Sequence, residues 1–138
     1  MEKIKFDNEI IKYISLFESL THTKLKDCIA KEDRLIFIVD EKEIGKAVGK
    51  KGINVQRIER STNKKIKIIA YNEDILVFVR NLIYPSRAKD IREEDNKIII
   101  TPIDKKNRGF IIGRGGSILR EHETIINRYF EIEEIKVI

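Results

Sequence analysis

Apolar positions along the chain follow two alternating rhythms. Ile10, Ile14 and Phe17 recur at helical spacing, with Tyr13 and Leu20 nearby and Asp7 as a candidate N-cap. Alternation then predicts strands over Lys24–Ala30 and Arg34–Val39, joined as a hairpin by the charged Lys31-Glu32-Asp33 turn. Asp40 is placed to cap a short helix over Glu41–Val48. A glycine-rich loop follows, then a helix from Ile53 to about Thr62 and an alternating strand over Lys65–Ile69.

The same succession starts again at Asp74. Ile75, Phe78, Val79 and Leu82 share one face of a helix over Asp74–Ile83, which Pro85 closes. Strands over Arg87–Arg92 and Lys97–Ile103 flank a turn at Glu93–Asn96. A short helix over Lys105–Ile112, a longer one from Ser117 to about Phe130 and a strand in Ile135–Ile138 complete the set. The order α-β-β-α-α-β is thus predicted twice, giving an α+β chain with units at 1–72 and 73–138. The connection around Tyr71–Glu73 contains no Gly, Pro or Ser, so the two units are expected to pack closely as one body.

Spacing of the glycines supports a duplication. "IGKAVGKKGINV" (Ile44–Val55) holds Gly45, Gly49 and Gly52; "RGFIIGRGGSIL" (Arg108–Leu119) holds Gly109, Gly113 and Gly116, each 64 positions later. Asp40 and Asp104 share that offset, as do Lys42 and Lys106. Aliphatic residues flank both clusters alike, Val48 with Ile112 and Val55 with Leu119. Two copies are too few for a solenoid.

Composition narrows the classes. With 41% hydrophobic and 37% charged residues, the 138-residue chain can bury a core and has no low-complexity tract. No apolar run approaches the ~20 residues of a membrane span, and the N-terminus lacks a secretory pattern. A cytoplasmic monomer with no membrane partner is expected. Cys28 is the only cysteine, so no intrachain disulfide can form, and a half-buried strand position is expected for it. Cys28, His22 and His122 are too few and too scattered for a zinc cluster, and neither metal nor cofactor is expected. The net charge of +5 is uneven: residues 1–72 hold 16 Lys+Arg against 11 Asp+Glu, residues 73–138 hold 12 against 12. A basic half points to a polyanionic partner.

The glycine loops decide which polyanion. A P-loop needs four residues between its glycines, then Lys and Ser/Thr. Gly45 and Gly49 enclose three, and Lys51 follows Lys50, leaving no hydroxyl for magnesium. A dinucleotide fingerprint needs glycine at 118, where Ile118 stands. Both loops lie between helices, where a P-loop follows a strand. What fits both is G-x-x-G between two helices: Gly49-Lys50-Lys51-Gly52 and Gly113-Arg114-Gly115-Gly116. That pattern resembles the loop with which KH domains clamp about four nucleotides of single-stranded backbone. Glycines allow a sharp turn and close approach to phosphate, and the following helix presents free N–H groups and its positive end. Val55, Ile58 and Thr62 put one side of that helix on the core, which turns Arg57 and Arg60 outward. Candidate contacts are therefore Lys46, Gly49, Lys50, Lys51, Gly52, Arg57 and Arg60 in the first unit. In the second they are Arg108, Gly113, Arg114, Gly115, Gly116 and Arg120. A helix-strand pair ahead of the motif marks the type II form.

Longer segments extend the likeness. "LFESLT" (Leu16–Thr21), "KDC" (Lys26–Cys28), "DRLIFIVD" (Asp33–Asp40), "AVGKKG" (Ala47–Gly52), "VRNLIYP" (Val79–Pro85) and "GFIIGRGG" (Gly109–Gly116) closely resemble the archaeal NusA-like transcription factors. The resemblance covers essentially the whole chain. It implies two tandem type II KH domains and single-stranded RNA, the nascent transcript, as partner. It implies a role in transcription termination or antitermination, with RNA polymerase a candidate second partner. The polymerase-binding and OB-fold domains of the bacterial relatives are not expected here. An RNA-binding adaptor in ribosome assembly or RNA decay would use the same chemistry. An enzyme acting on nucleotides or RNA would need a carboxylate cluster, a metal site or a true P-loop, and the sequence offers none. His122 is expected at the core edge of the long helix, and Glu131, Glu133 and Glu134 as its solvated end. The Phe and Tyr residues are expected mostly on apolar faces, with Tyr71 a candidate exception.

Overall fold

The computed structural model describes the backbone from Glu2 to Ile138 and the side chains from Asn8 onward. It divides into two compact units, Met1–Asn72 and Glu73–Ile138. The first runs α1 (Glu2–Thr21), β1 (Leu25–Ala30), β2 (Arg34–Asp40), α2 (Ile44–Val48), α3 (Ile53–Thr62) and β3 (Lys65–Tyr71). The second runs α4 (Ile75–Ile83), β4 (Ala88–Glu94), β5 (Lys97–Pro102), α5 (Lys105–Ile112), α6 (Ser117–Ile126) and β6 (Glu134–Val137). The result is an α+β protein with two three-stranded sheets, ordered β1-β2-β3 and β4-β5-β6.

In each sheet the central strand is antiparallel to the strand before it and parallel to the one after. The parallel pairing forces a crossover, and the crossover is the helix-loop-helix that carries the glycines. Fold topology thus places both loops at the same point of their units.

In the first unit Phe17, Cys28, Ala30, Leu35, Phe37, Val39, Ala47 and Ile58 form one buried cluster. The Phe17 and Phe37 rings lie 4.4 Å apart. Full burial of Phe17 is worth roughly 1.5–3 kcal/mol and anchors α1. The second unit buries Phe78, Val79, Leu82, Ile98, Ile100, Ile111, Ile125 and Ile126. Phe78 meets Tyr129 edge-on at 5.7 Å and Phe130 at 5.9 Å.

Several boundaries differ from the sequence reading. Helix α1 spans Glu2–Thr21, and the cap expected at Asp7 lies outside the described residues. The short first helix is split into a 3₁₀ turn at Glu41–Glu43 and α2, with Asp40 accepting from the Lys42 N–H at 3.0 Å. Strand β3 reaches Tyr71, whose ring sits 4.1 Å from the Lys26 Nζ. The second hairpin turns at Asp95-Asn96, both at positive φ, so Glu93 and Glu94 belong to β4. Helix α6 stops at Ile126, not Phe130. The Asn127 side chain donates to the Glu123 carbonyl at 3.0 Å and accepts from the Ile132 N–H at 2.9 Å, which turns the chain away. Glu131 and Glu133 therefore follow the helix at a distance, and Glu134 opens β6. Cys28 is fully buried rather than half-buried, and His122, at 5% exposure, is inside the core rather than at its edge.

The duplication is also less uniform than its glycines. Leu25 pairs with Val39 and Ala88 with Pro102, an offset of 63. Ile103, inserted before Asp104, restores 64 for the caps and glycines. After the second helix the first unit needs only residues 63–64 to reach β3, while the second uses 127–133. That longer link supplies Tyr129 and Phe130 to Phe78.

Candidate nucleic-acid interface

Both loops take the same backbone path. Gly49 and Gly113 have φ/ψ of 78/166° and 74/170°. Lys51 and Gly115 have 55/28° and 62/20°, and Gly52 and Gly116 have 72/23° and 77/14°. Hydrogen bonds repeat as well. The Gly49 N–H donates to the Gly45 carbonyl at 3.0 Å and the Gly52 N–H to Gly49 at 3.0 Å; the Gly113 N–H donates to Gly109 at 2.8 Å and the Gly116 N–H to Gly113 at 3.1 Å. Three positions per loop thus lie at positive φ, and only Lys51 holds one with a side chain. A left-handed non-glycine residue costs roughly 1–2 kcal/mol, a strain that Gly115 avoids.

Different side chains lock these two paths. A Cβ on Gly49 would lie 2.9 Å from the Asn54 Nδ2, and one on Gly113 2.6 Å from the Ile118 Cγ1. Asn54 is buried and its amide donates to the Lys46 carbonyl at 3.1 Å. That carbonyl is among the last four of α2, which have no partner within their helix. Asn54 therefore ties α2 to α3 across the loop by a hydrogen bond, where Ile118 ties α5 to α6 by packing. Neither residue was given this role from the sequence; a polar residue one helical turn before core Ile58 was the available signal for Asn54.

Lys46, Lys50, Lys51, Arg57 and Arg60 are all exposed, as are Arg108, Arg114 and Arg120. Lys50, Lys51 and Arg114 stand on the loop tips and have no ion pair among the described residues. The Arg120 guanidinium folds back to the loop, its Nη1 3.0 Å from where a Gly116 Cβ would be. Arg108 projects from α5 ahead of the loop. Arg57 and Arg60 share the outer face of α3, Arg60 about 12 Å along the axis from Gly52 at 1.5 Å per residue. Two aromatic rings depart from the apolar faces expected for most of them: Phe110, on α5 three residues before Gly113, is 56% exposed, and Tyr84 is 73% exposed.

Other basic residues serve the fold. The Lys64 Nζ donates to the Lys31 and Glu32 carbonyls at 2.9 and 2.8 Å, closing the first hairpin turn. Arg92 pairs with Glu94 and Asp90, whose hydrogen bonds hold its guanidinium above the ordinary range. It lines a concavity of about 520 Å³ on the β4-β5-β6 sheet with Glu94, Asp95, Lys97 and Lys136, a surface of mixed charge. Among the described residues no group of three or more His, Cys, Asp and Glu is arranged to hold a metal, and no helix is long and apolar enough to cross a membrane.

The KH domain family matches residues 11–84, more than half of the chain. "Probable transcription termination protein NusA" of Methanocaldococcus jannaschii is 33% identical over the whole chain and 77% of its own length. The chain belongs to the archaeal NusA-like family of KH domain proteins. The likeness read from its segments thus holds from end to end. The protein of the same name from Thermoplasma acidophilum is 26% identical over 99% of this chain and 97% of its own. Among solved structures, the crystal structure of APE1850 superposes with a TM-score of 0.73 at 28% identity, covering 94% of this chain and 98% of that one. The KH match runs from within α1 through the rest of the first unit and α4, and the NusA-named relatives extend the likeness over the second unit.

Proposed function

We propose that this NusA-like chain is a single-stranded RNA-binding factor of transcription termination or antitermination. Its two units act as tandem type II KH domains, one over 1–72 and the other over 73–138. Each grips the RNA backbone with its G-x-x-G loop, and together they hold the nascent transcript near RNA polymerase. The observation that carries this reading is the pair of loops with matching φ/ψ at three positions each and basic, unpaired tips. Such a loop brings backbone N–H groups and cations to the same few ångströms, the arrangement a phosphodiester needs. Lys46, Lys50, Lys51, Arg57 and Arg60 supply charge in the first unit; Arg108, Arg114 and Arg120 supply it in the second. The action is binding rather than catalysis: RNA held extended is removed from hairpins that would otherwise form as it emerges. Two linked grips act at high effective concentration, so each can be weak. The relatives named as transcription termination proteins favour this address over ribosome assembly or RNA decay.

Binding of the full chain to a pool of short single-stranded RNAs at two salt concentrations tests the reading. Comparison is with Lys50→Asp/Lys51→Asp and with Arg114→Asp/Gly115→Asp. A Cβ at Gly115 meets nothing within 4 Å, and Asp tolerates the left-handed region, so these variants stay folded. Each lost phosphate contact reduces the slope of log K against log salt by roughly 0.7. Variants that bind as tightly as wild type would remove the loops from the interface. Capture of RNA polymerase by the full chain, with and without RNA, tests the proposed address.

A further inference from the structure

The two loops match in backbone but differ one turn earlier. On α5, Lys106, Gly109, Phe110 and Gly113 lie at i, i+3, i+4 and i+7, one face leading straight to the loop. On α2 and the turn before it the same positions hold Lys42, Gly45, Lys46 and Gly49. A Cβ at Gly109 or Gly45 would meet nothing within 4 Å, so both faces have an open floor of bare backbone. Beside that floor the first unit presents an exposed ammonium, and the second presents Phe110, 56% exposed. A lone exposed phenyl ring needs no explanation. This one stands in register with Lys46, on an open glycine floor, with exposed Lys106 one turn before it and exposed Arg114 on the loop that follows. It also sits in the half of the chain whose charges cancel, 12 Lys+Arg against 12 Asp+Glu.

From this we infer that the second unit takes RNA by a different chemistry from the first: Phe110 stacks on an unpaired base next to the phosphate held at Gly113–Gly116. The flat floor at Gly109 lets the nucleotide lie close enough for the ring to cover it. A π-face stacks on any base, and stacking does not weaken with salt as charge pairing does. The first unit therefore supplies most of the salt-sensitive grip, and the second adds a contact that requires a base. This rests on the RNA reading above and adds what the second loop recognises.

Because the chain has no tryptophan, Phe110→Trp introduces a single fluorescent reporter at the site. Single-stranded oligoadenylate is expected to quench it, and inorganic polyphosphate, an anion without bases, is not. Phe110→Ala is expected to weaken oligoadenylate binding by about five-fold or more with the salt slope unchanged, and Phe110→Tyr to restore it. Lys46→Ala should instead reduce the salt slope. Equal quenching by polyphosphate would overturn the stacking proposal. So would binding by Phe110→Ala within about two-fold of wild type, below what stacking contributes. If Lys50→Asp/Lys51→Asp still abolishes binding in that case, the RNA reading survives and Phe110 belongs to another contact. Wild type that binds no single-stranded RNA removes both.

Discussion

Gly109 and Gly113 lie one helical turn apart, yet alanine should act oppositely at each. Gly109 has helical backbone inside α5, and its missing Cβ faces open space. Gly109→Ala should recover the helix-interior cost of glycine, about 0.5–1 kcal/mol. For a unit of this size that raises Tm by about 2–8 °C. Gly113 has φ/ψ of 74/170°, a region essentially reserved for glycine. Holding alanine there costs about 1–3 kcal/mol, and its Cβ would lie 2.6 Å from the Ile118 Cγ1, 2.8 Å from Cβ and 2.9 Å from Cδ1. Those atoms belong to a side chain branched close to the backbone, so the overlap adds about 1–3 kcal/mol of overpacking. Gly113→Ala should therefore destabilise the second unit by about 2–6 kcal/mol. Urea titration of the full chain followed by far-ultraviolet circular dichroism measures both shifts. RNA binding provides the second readout. The stabilised Gly109→Ala protein should bind more weakly, because its methyl occupies the floor proposed for the nucleotide. A destabilised Gly109→Ala, or a Gly113→Ala within about 0.5 kcal/mol of wild type, refutes the assignment of the loop's constraints.

Three further predictions are independent of that pair. Lys51→Gly relieves the one strained side chain in the first loop, so stability should rise by up to about 1 kcal/mol after glycine's entropic cost, while RNA affinity and its salt slope fall. Asn54→Ala leaves the Lys46 carbonyl unsatisfied and should cost about 1–3 kcal/mol in urea unfolding. The same change at Ile118, which is only partly buried, removes packing against Gly113 instead, and the two should differ in their response to restoring side-chain volume with leucine. Asp104 accepts hydrogen bonds from the backbone and side-chain N–H groups of Asn107, each at 2.8 Å, which hold its carboxyl below the usual range. A folded pKa below the unfolded one gives stability above about pH 4 that fades as pH falls through the folded value. Thermal melts between pH 2 and 7 should show that acid-side loss in wild type and a smaller one in Asp104→Asn.

Legibility followed the range of the forces involved. Strands β2 and β5 were readable because Leu35–Val39 and Ile98–Ile100 are short β-branched or bulky runs beside turn residues. The Asp40 cap and both loops were readable because their constraints act within a few residues, and Asp104, at the same offset as the glycines, caps the second unit's helix as well. The end of α6 was not, because Ile126–Phe130 continues an apolar helical rhythm. What stops it is the Asn127 side chain bonding to Ile132, and what uses the extra residues is Phe78, far away in sequence. Among site residues, the exposure of Arg57 and Arg60 followed from helix phase, and that of Lys50 and Lys51 from their place in the glycine loop. Asn54 did not, because its partner is a carbonyl eight residues back, across the loop. Phe110 was not told apart from the other aromatic residues either, because only the packing of α5 shows that Ile111 is the residue pointing fully inward.

Between the capping aspartate and the end of the second crossover helix, the two units are equal in length. Asp40–Thr62 and Asp104–Ile126 keep the offset of 64 throughout, and both changes of offset fall outside, at Ile103 and in residues 127–133. The segment that carries the proposed grip therefore behaves as a cartridge with a seam at each end. Its interior geometry is held by bonds that span it, such as those from Asn54 and the loop glycines, so a residue inserted there has nowhere to go. Length added at either seam is absorbed by a strand end or a surface link. Such a part can be moved: exchanging the two cartridges within one chain keeps the length on both sides, and exchanges which half presents Lys46, Lys50 and Lys51.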